Sequence, residues 1–495
     1  MARAWTKRWS PDRNGGKGSL VSALKIRPID SIERIHWTLP PSKSHAIRWL
    51  ALAAQSSQHV QLDNMGHAGQ DTVSMRRCLN QLGVRIVDLD ADGRPLSVES
   101  NLDDQPAQGS VSWRIEGVGP HGLRPPVSVL HAGNSGTALR ILMALCARFE
   151  VPVMVDGDAS LRSRNHDMMV AALEAFGVKA SRGVGVEGLP LLLQGPWKAV
   201  ETLTLDVSTS SQPTTAFCLA SPALPGNVKL VSSGEGVSLR HSELTKALCV
   251  KSGADTGVYD GALKAWTPTP PATIVIPPDA SMLAFACLSA KVCSADVEVE
   301  ALPTLDDTIG HEVLTEHLES FGLVMSDGVL SSKSDGAEVA LDLRHANDLI
   351  TPVAALLALA SGGSVSGAEH AAYKETDRTV GTVALLEQFG LKATYQDGVL
   401  NVPGGQTPQT PSGMVETYGD HRMQMTALVL AMGCKESVLI KGATLHEVAD
   451  PGALQRWRAV GVTVETVLHE PWKEHGCREI FLNPLVLQKN GVVEP

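Results

Sequence analysis

A repeated pattern of helices constrains the fold of this chain more than any other feature of its sequence. Six clusters of polar residues each open an apolar stretch of helical length, and their anchors follow one another at steps of 69 to 90 residues. Self-similarity at a nearly fixed period is typical of one structural unit copied along a chain. The sequence therefore predicts six copies, whose anchors are Ser44, Asn134, Ser210, Asp279, Asp348 and Asp420.

A glycine marks the same place in every copy, 39 to 43 residues after the anchor. Each glycine ends a second, amphipathic stretch, and a strand-like run such as "VRIVDL" or "LKATY" often follows it. Glycine is the residue preferred in the left-handed C-cap of a helix. Each copy is therefore predicted to hold two helices and several strands, and the glycines are Gly83, Gly177, Gly253, Gly322, Gly390 and Gly461.

The length of the chain predicts two domains. It has 495 residues, 43% of them hydrophobic, whereas a single hydrophobic core rarely grows beyond about 250 to 300 residues. Prolines at 40–41 and between 268 and 280 indicate two crossings between the domains. We predict an α/β protein of two globes with three copies each, divided into a mobile basic arm at 1–18, a first globe at 42–271, a second globe at 19–41 plus 272–470, and a C-terminal extension at 471–495.

Composition excludes several classes of function. No apolar run reaches the roughly 18 residues that span a bilayer, and the basic N-terminus lacks the apolar stretch of a secretory signal, which favours a cytoplasmic protein. Eight cysteines are scattered without metal-like spacing, so we expect reduced thiols and no metal site. The net charge of −11 argues against a nucleic-acid surface. Any anionic ligand must be held by local cations.

The polar helix starts predict where such a ligand binds. If the two globes face each other, the starts of the buried helices point toward a shared cleft, where helix dipoles and free N–H groups favour anions. Basic side chains lie in or beside the same turns, and arginine and lysine both bind phosphate and carboxylate. The expected ligand is a small polyanion, and the basic residues are Lys43, Arg48, Arg140, Arg164, Lys374, Arg378 and Arg422.

Five motifs carry a resemblance to a known family. The segments "PSKSHAIR", "GNSGTALR", "SSQ", "YKETDR" and "GDHRM" occur in the order found in the 5-enolpyruvylshikimate-3-phosphate synthase family, and the likeness runs from about residue 20 to 465. The resemblance implies two globes, each of three β-α-β-α-β-β units, with the chain crossing twice between them. It also implies transfer of the enolpyruvyl group of phosphoenolpyruvate to the 5-hydroxyl of shikimate 3-phosphate, without a cofactor or a metal.

The resemblance implies roles for individual residues. Asp348 would be the base that orients the 5-hydroxyl, Glu375 would move the proton at the methylene carbon, and Lys43 would touch both substrates. The residues that would bind shikimate 3-phosphate are Lys43, Ser44, Arg48, Ser210, Ser211, Gln212, Ser238, Asp348 and Lys374. Those that would bind phosphoenolpyruvate are Lys43, Asn134, Gly136, Arg164, Gln212, Arg378 and Arg422. Gly136 keeps its loop unhindered, so we also expect sensitivity to glyphosate, which occupies the phosphoenolpyruvate site in this family.

The chain also departs from the family pattern. His241 stands where a tyrosine is expected, and His370 holds a position often occupied by asparagine. The lysine of the family's last motif has no counterpart in "HEVADPGALQRW", so Lys441 or a cation of the C-terminal extension would have to replace it.

Two other functions remain open on the sequence. One is enolpyruvyl transfer to another acceptor, as in UDP-N-acetylglucosamine enolpyruvyl transferase, although "KSHAIR", "KETDR" and "DHRM" fit that relative poorly. The other is a non-catalytic paralogue that binds anionic metabolites, against which the presence of both Asp348 and Glu375 argues. We expect a monomer with small-molecule substrates and neither nucleic-acid nor membrane partners.

Overall fold

The described part of the chain starts in the second globe, crosses to the first and returns. The computed structural model describes residues 21–96, 105–183, 188–255, 261–469 and 480–481, so the predicted arm at 1–18 lies outside the described residues. Two strands precede the first crossing, β1 Val21–Arg27 and β2 Arg34–Trp37.

The first globe follows. Its helices are α1 Lys43–Ala54, α2 Gln70–Gln81, α3 Gly136–Cys146, α4 Ala159–Ser163, α5 Asp167–Ala175, α6 Gln212–Ala220 and α7 Leu239–Lys251. Its strands are β3 His59–Asp63, β4 Arg85–Leu89, β5 Ser112–Glu116, β6 Leu130–His131, β7 Val153–Asp156, β8 Lys179–Arg182, β9 Leu191–Gln194, β10 Thr202–Asp206, β11 Val228–Ser233, β12 Ala262–Leu263 and β13 Thr273–Val275.

The chain then returns and completes the second globe. Its helices are α8 Leu283–Cys293, α9 Glu312–Glu316, α10 Ile350–Leu359, α11 Arg378–Gln388, α12 His421–Met432 and α13 Ala453–Ala459. Its later strands are β14 Asp296–Val299, β15 Leu323–Ser326, β16 Val329–Ser332, β17 Val339–Asp342, β18 Gly362–Ser366, β19 Thr394–Gln396, β20 Val399–Pro403, β21 Val438–Lys441, β22 Thr463–His469 and β23 Ile480–Phe481.

The described strands form six sheets, which confirms the predicted fold class. Five sheets have four strands and one has three. In the sheet ordered β6-β7-β9-β8, the first pair is parallel and the other two pairs are antiparallel, as a β-α-β-α-β-β unit requires. β23 adds one strand to the edge of the sheet that contains β22, and the rest of the predicted extension at 471–495 lies outside the described residues.

The glycine marker is confirmed in all six copies. The six glycines have φ values between 70° and 96°, in the left-handed region that a side chain disfavours. In the fourth copy the residues before the glycine form only α9 and a 3-10 turn, Glu319–Phe321, yet Gly322 keeps the same conformation. The C-cap therefore depends on the backbone turn more than on the length of the helix.

One predicted boundary is wrong. We placed the start of the second globe at residue 272, but β13 pairs in parallel with β3, and Ile274 and Ile276 pack in the core of the first globe. The edge of β3 has unpaired backbone groups that β13 can pair with, and this pairing buries the two isoleucine side chains in the first core. The crossing lies just beyond, where Ser42 N donates to Pro277 O and Asp279 N donates to Pro40 O.

Buried helices fill each globe. α3 packs against α6 in the first globe, and α8 packs against α10 and α12 in the second. Every residue of α12 is buried, which requires its polar start to find partners inside the protein. All seven described cysteines are reduced, as predicted. Over the described ranges, no helix combines the length and apolar character needed to cross a bilayer.

Candidate active site

Asp348 and Glu375 are held by one guanidinium group. Arg378 Nη1 donates to Asp348 Oδ1 at 2.7 Å, and its Nη2 donates to Glu375 Oε2 at 2.6 Å. Asp420 binds the other edge, 2.8 Å from Arg378 Nε. Arg378 is the first residue of α11, and Asp420 caps α12, so the starts of two helices build this network. The two carboxylates predicted to carry the chemistry therefore lie side by side.

The surroundings of these two carboxylates favour their ionised forms. Burial raises the pKa of Asp348, but the charges of Arg422, Lys374 and Arg378 outweigh it and hold that pKa well below its usual value. Burial likewise raises the pKa of Glu375, while Arg378 and Arg164 lower it well below the usual range. Both groups are accordingly anions at neutral pH.

Two lysines flank the carboxylates. Lys43, the first residue of α1, lies with its Nζ 3.0 Å from Asp71 Oδ2. Burial lowers the pKa of Lys43, but Asp71 and other nearby carboxylates more than compensate, so the pKa is raised. Lys374 Nζ lies 3.8 Å from Asp348 Oδ1, and burial lowers the pKa of this lysine.

A loop of the first globe reaches across to the second. Arg164 Nη2 donates to Asn134 Oδ1 at 3.0 Å and lies 3.5 Å from Glu375 Oε1. Ser160 Oγ lies 3.5 Å from the carbonyl oxygen of Glu375. Arg164 thus links a predicted phosphoenolpyruvate loop directly to the predicted proton carrier, which belongs to the other globe.

Gly136 lies beneath two guanidinium groups. A Cβ atom built at this position would come within 2.8 Å of Arg140 Nη1 and 3.2 Å of Arg164 Nη1. Arg140 also donates to Gln212 Oε1 at 2.6 Å, and Gln212 in turn donates to Thr137 at 3.1 Å. The missing side chain therefore lets two cations and an amide converge on one point.

Arg422 has donors that the protein does not satisfy. Its Nη2 donates to Ser281 Oγ at 2.8 Å and lies 3.6 Å from Asp348 Oδ2. Its Nε and Nη1 are buried and meet no hydrogen-bond partner among the described residues. Because a buried, unpaired cationic donor is costly, these atoms indicate a place for an anion.

The residues predicted to bind shikimate 3-phosphate lie on both sides of the boundary between the globes. Arg48 is 2% exposed, and its donors already bind Ser44 O, Thr245, Thr215 and His241 O within the first globe. Ser211 is the N-cap of α6, and Ser210 Oγ accepts from Gln212 N. Ser238 Oγ lies 3.3 Å from His370 Nε2 of the second globe.

Comparison with known proteins identifies the family. The model of the EPSP synthase (3-phosphoshikimate 1-carboxyvinyltransferase) family matches residues 30–452. The chain belongs to the EPSP synthase family. Curated members include the 3-phosphoshikimate 1-carboxyvinyltransferases of Methanothermobacter thermautotrophicus, 26% identical over 85% of this chain and 94% of that protein, and of Bradyrhizobium diazoefficiens, 28% identical over 86% and 89%.

Solved structures agree with this assignment at the level of the fold. The EPSP synthase of Acinetobacter baumannii superposes with a TM-score of 0.67 at 21% identity, over 90% of this chain and 99% of that one. The resemblance stated from the motifs is therefore confirmed.

One departure from the EPSP synthase pattern persists in the structure. Lys441, suggested as a substitute for the missing lysine, lies in β21 with its Nζ 2.7 Å from Glu416, and both side chains are partly exposed. In the described structure this lysine pairs with a surface carboxylate, and its role as a substitute for the missing lysine stays a prediction. The other candidate, a cation of the C-terminal extension, lies outside the described residues. Near the start of the divergent segment, the backbone of Val448 and Ala449 packs against Gly69.

Several residues without a predicted catalytic or binding role belong to the same network. Asp71 pairs with Lys43, Asp420 binds Arg378, and Asp158 accepts from Asn134 at 2.8 Å. Asp71 lies in the first turn of α2, within the amphipathic stretch that ends near Gly83, and none of the quoted motifs includes it. Asp158 and Asp420 cap helices, so a capping pattern was the available signal for Asp158, whereas Asp420 also lies in the quoted motif "GDHRM". Over the described ranges, no group of three or more His, Cys, Asp or Glu side chains could hold a metal ion.

Proposed function

We propose that this chain transfers the enolpyruvyl group of phosphoenolpyruvate to the 5-hydroxyl of shikimate 3-phosphate and releases phosphate. Membership of the EPSP synthase family supports this reaction. The observation that carries it is the convergence of Asp348 and Glu375 on Arg378, with unpaired donors of Arg422 beside them. Such a site offers two proton-transfer groups and several anion-binding groups within one cleft.

The two carboxylates divide the proton transfers. Asp348 takes the proton of the 5-hydroxyl, whose oxygen bonds to C2 of phosphoenolpyruvate while the methylene carbon receives a proton from Glu375. The resulting tetrahedral adduct then loses phosphate from C2 and returns one proton from the methyl group to Glu375. Atoms balance over the cycle, because the hydroxyl proton leaves with the phosphate.

Substrate binding itself adjusts the pKa of Glu375. Arg378 and Arg164 hold the carboxylate ionised, with Arg378 the stronger influence. Anionic groups of phosphoenolpyruvate compete for these guanidinium groups and add negative charge nearby, so they raise the pKa of Glu375. Glu375 therefore takes up a proton only when phosphoenolpyruvate is bound.

The remaining site residues bind and orient. Asn134, Gly136 and Arg164 of the first globe bind phosphoenolpyruvate. The other residues that bind it are Gln212, Arg378, Arg422 and Lys43. Ser44, Arg48, Ser210, Ser211, Ser238 and Lys374 hold shikimate 3-phosphate. Because each substrate is bound by residues from both globes, the globes must close on the substrates before reaction. The monomeric state and the cytoplasmic location remain predictions.

A phosphate-release assay tests the function. Purified protein with shikimate 3-phosphate and phosphoenolpyruvate should release phosphate with multiple turnovers, and omission of either substrate should abolish release. UDP-N-acetylglucosamine in place of shikimate 3-phosphate should give none. Phosphate release only with the alternative acceptor would reassign the substrate, and ligand binding by a folded protein without any release would identify a binder.

We expect Gly136→Ala to raise the KM for phosphoenolpyruvate by about ten- to a hundredfold. The added methyl group would meet Arg140 and Arg164 at 2.8 and 3.2 Å, and both guanidinium groups must move. Glyphosate inhibition should weaken in parallel, while the melting temperature changes little because flexible side-chain ends can yield. Steady-state kinetics and an inhibition titration measure both effects.

Gly413→Ala is the matched control, because a Cβ atom there meets nothing within 4 Å. It should leave both constants unchanged. If Gly136→Ala kept the wild-type KM for phosphoenolpyruvate and the wild-type glyphosate inhibition, phosphoenolpyruvate would have to bind away from Gly136.

A further inference from the structure

Two histidines face each other across the boundary between the globes. His241 lies in the first turn of α7 in the first globe, and His311 immediately precedes α9 in the second. Their ring centroids are 6.4 Å apart, and the rings meet edge to face. Neither ring has a role in the chemistry described above.

The hydrogen bond of His311 determines its tautomer. Nδ1 lies 2.7 Å from the carbonyl oxygen of Thr308, which can only accept, so Nδ1 carries the proton. Burial lowers the pKa of His311 despite the opposing charges of Asp348 and Asp279, so the ring is neutral at pH 7. Nε2 is therefore a bare acceptor. This atom is buried and meets no partner among the described residues, and His311 as a whole is only 6% exposed.

His241 packs against the edge of His311 from the first globe. Its Nδ1 is also buried without a partner in the described part of the chain. Burial, followed by the charge of Arg48, lowers its pKa well below the usual value, and Asp348 and Lys374 also act on it. Its carbonyl oxygen accepts from Arg48 Nη2 at 3.1 Å. The pair thus lies beside residues assigned to the acceptor, not beside the phosphoenolpyruvate loop.

We propose that His311 Nε2 accepts a hydrogen bond from a hydroxyl group of the acceptor, with His241 as the facing wall, so that this pair selects a hydroxylated acceptor. The inference rests on the proposed function. A bare lone pair attracts an O–H donor and repels the ionised oxygens of phosphate or carboxylate. Since residues assigned to the acceptor, such as Arg48, belong to the first globe, a hydroxyl bound to His311 of the second globe also favours closure.

Equilibrium binding tests the inference with three ligands: shikimate 3-phosphate and its 4-deoxy and 5-deoxy analogues. His311→Leu should weaken shikimate 3-phosphate about tenfold, and should barely change the affinity for the one analogue that lacks the recognised hydroxyl. His311→Gln should restore part of the loss, because an amide oxygen can occupy the position of Nε2. The KM for phosphoenolpyruvate should stay near the wild-type value.

His317→Leu is the matched control for damage to α9. Its Nδ1 also bonds a carbonyl oxygen, that of Val313 at 2.9 Å, but no buried, unpaired nitrogen faces the cleft. It should bind all three ligands like the wild type.

Two results would overturn the inference: unchanged shikimate 3-phosphate affinity in His311→Leu, or equal losses for all three ligands. If His311→Leu does not fold, the wild type and His311→Gln decide. The wild type must then bind at least one deoxy analogue about tenfold more weakly than shikimate 3-phosphate, and His311→Gln must narrow that difference. Failure of the wild type to release phosphate would instead reject the proposed function.

Discussion

Glu375→Gln should lower kcat by about a hundred- to ten-thousandfold and leave both substrates bound. The amide keeps the size of the side chain and can still contact Arg378, but it cannot exchange a proton with the methylene carbon. Loss of a negative charge beside Arg378 and Arg164 should make phosphoenolpyruvate bind as tightly as before or more tightly. Single-turnover kinetics and equilibrium titration separate the chemical step from binding.

Glu369→Gln is the control for this substitution. Glu369 is exposed, lies six residues earlier and would lose the same charge. It should keep wild-type turnover. Undiminished turnover in Glu375→Gln would remove Glu375 from the proton transfers and require another acid near the methylene carbon.

Arg378→Met should destabilise the folded protein by about 3 to 5 kcal/mol at pH 7. Arg378 is 1% exposed and binds Asp348, Glu375 and Asp420, so its loss leaves three buried or partly buried carboxylates without their shared cation. Turnover should fall to background because both proton-transfer groups lose their positions. Denaturant unfolding at several pH values measures the stability.

The loss should depend on pH with a defined sign. In the wild type the pKa values of Asp348 and Glu375 lie well below 3.8 and 4.5. Their contribution to stability is complete above those ordinary values and declines as pH falls through the lowered ones. Without Arg378, burial tends to raise both pKa values. Protonation of the two carboxylates then removes part of the free-energy cost of burying their charges in the variant. The gap between wild type and variant should therefore narrow below about pH 4.5.

Arg27→Met provides a charge-matched control. Arg27 pairs with Glu465 at 3.5 Å, and both side chains are about a third or more exposed. Such a surface pair contributes about 0 to 1 kcal/mol, so the control should lose no more than that at any pH. A similarly small loss in Arg378→Met would mean that the three carboxylates find other partners.

The sequence predicted the features that depend on local chain chemistry. Gly83 and its five counterparts were correctly assigned to left-handed C-caps, because only glycine adopts that conformation without strain. Asp377 immediately precedes α11 and accepts from the N–H groups of Thr379 and Val380, a capping contact that neighbouring residues specify. The family resemblance also implied one site for Asp348, Glu375 and Arg378, and these three side chains are in contact in the structure.

Contacts between distant segments were not predictable in the same way. The pairing of β13 with β3 joins residues more than two hundred positions apart, and no local pattern specifies which sheet edge an isolated strand will cover. The contacts of Asp71 with Lys43 and of His311 with His241 also join separate elements, and no local pattern specifies them.

The sequence by itself determined the α/β class, the six repeated units, the family and the residues able to do the chemistry, because helix caps, apolar periodicity and short motifs are written in neighbouring residues. Only the tertiary structure decided where the chain crosses, which carboxylate pairs with which cation and which histidine nitrogen lacks a partner. Those properties arise from burial and from distances between segments far apart in the chain, and burial converts ordinary side chains into groups with shifted pKa values and unsatisfied donors or acceptors.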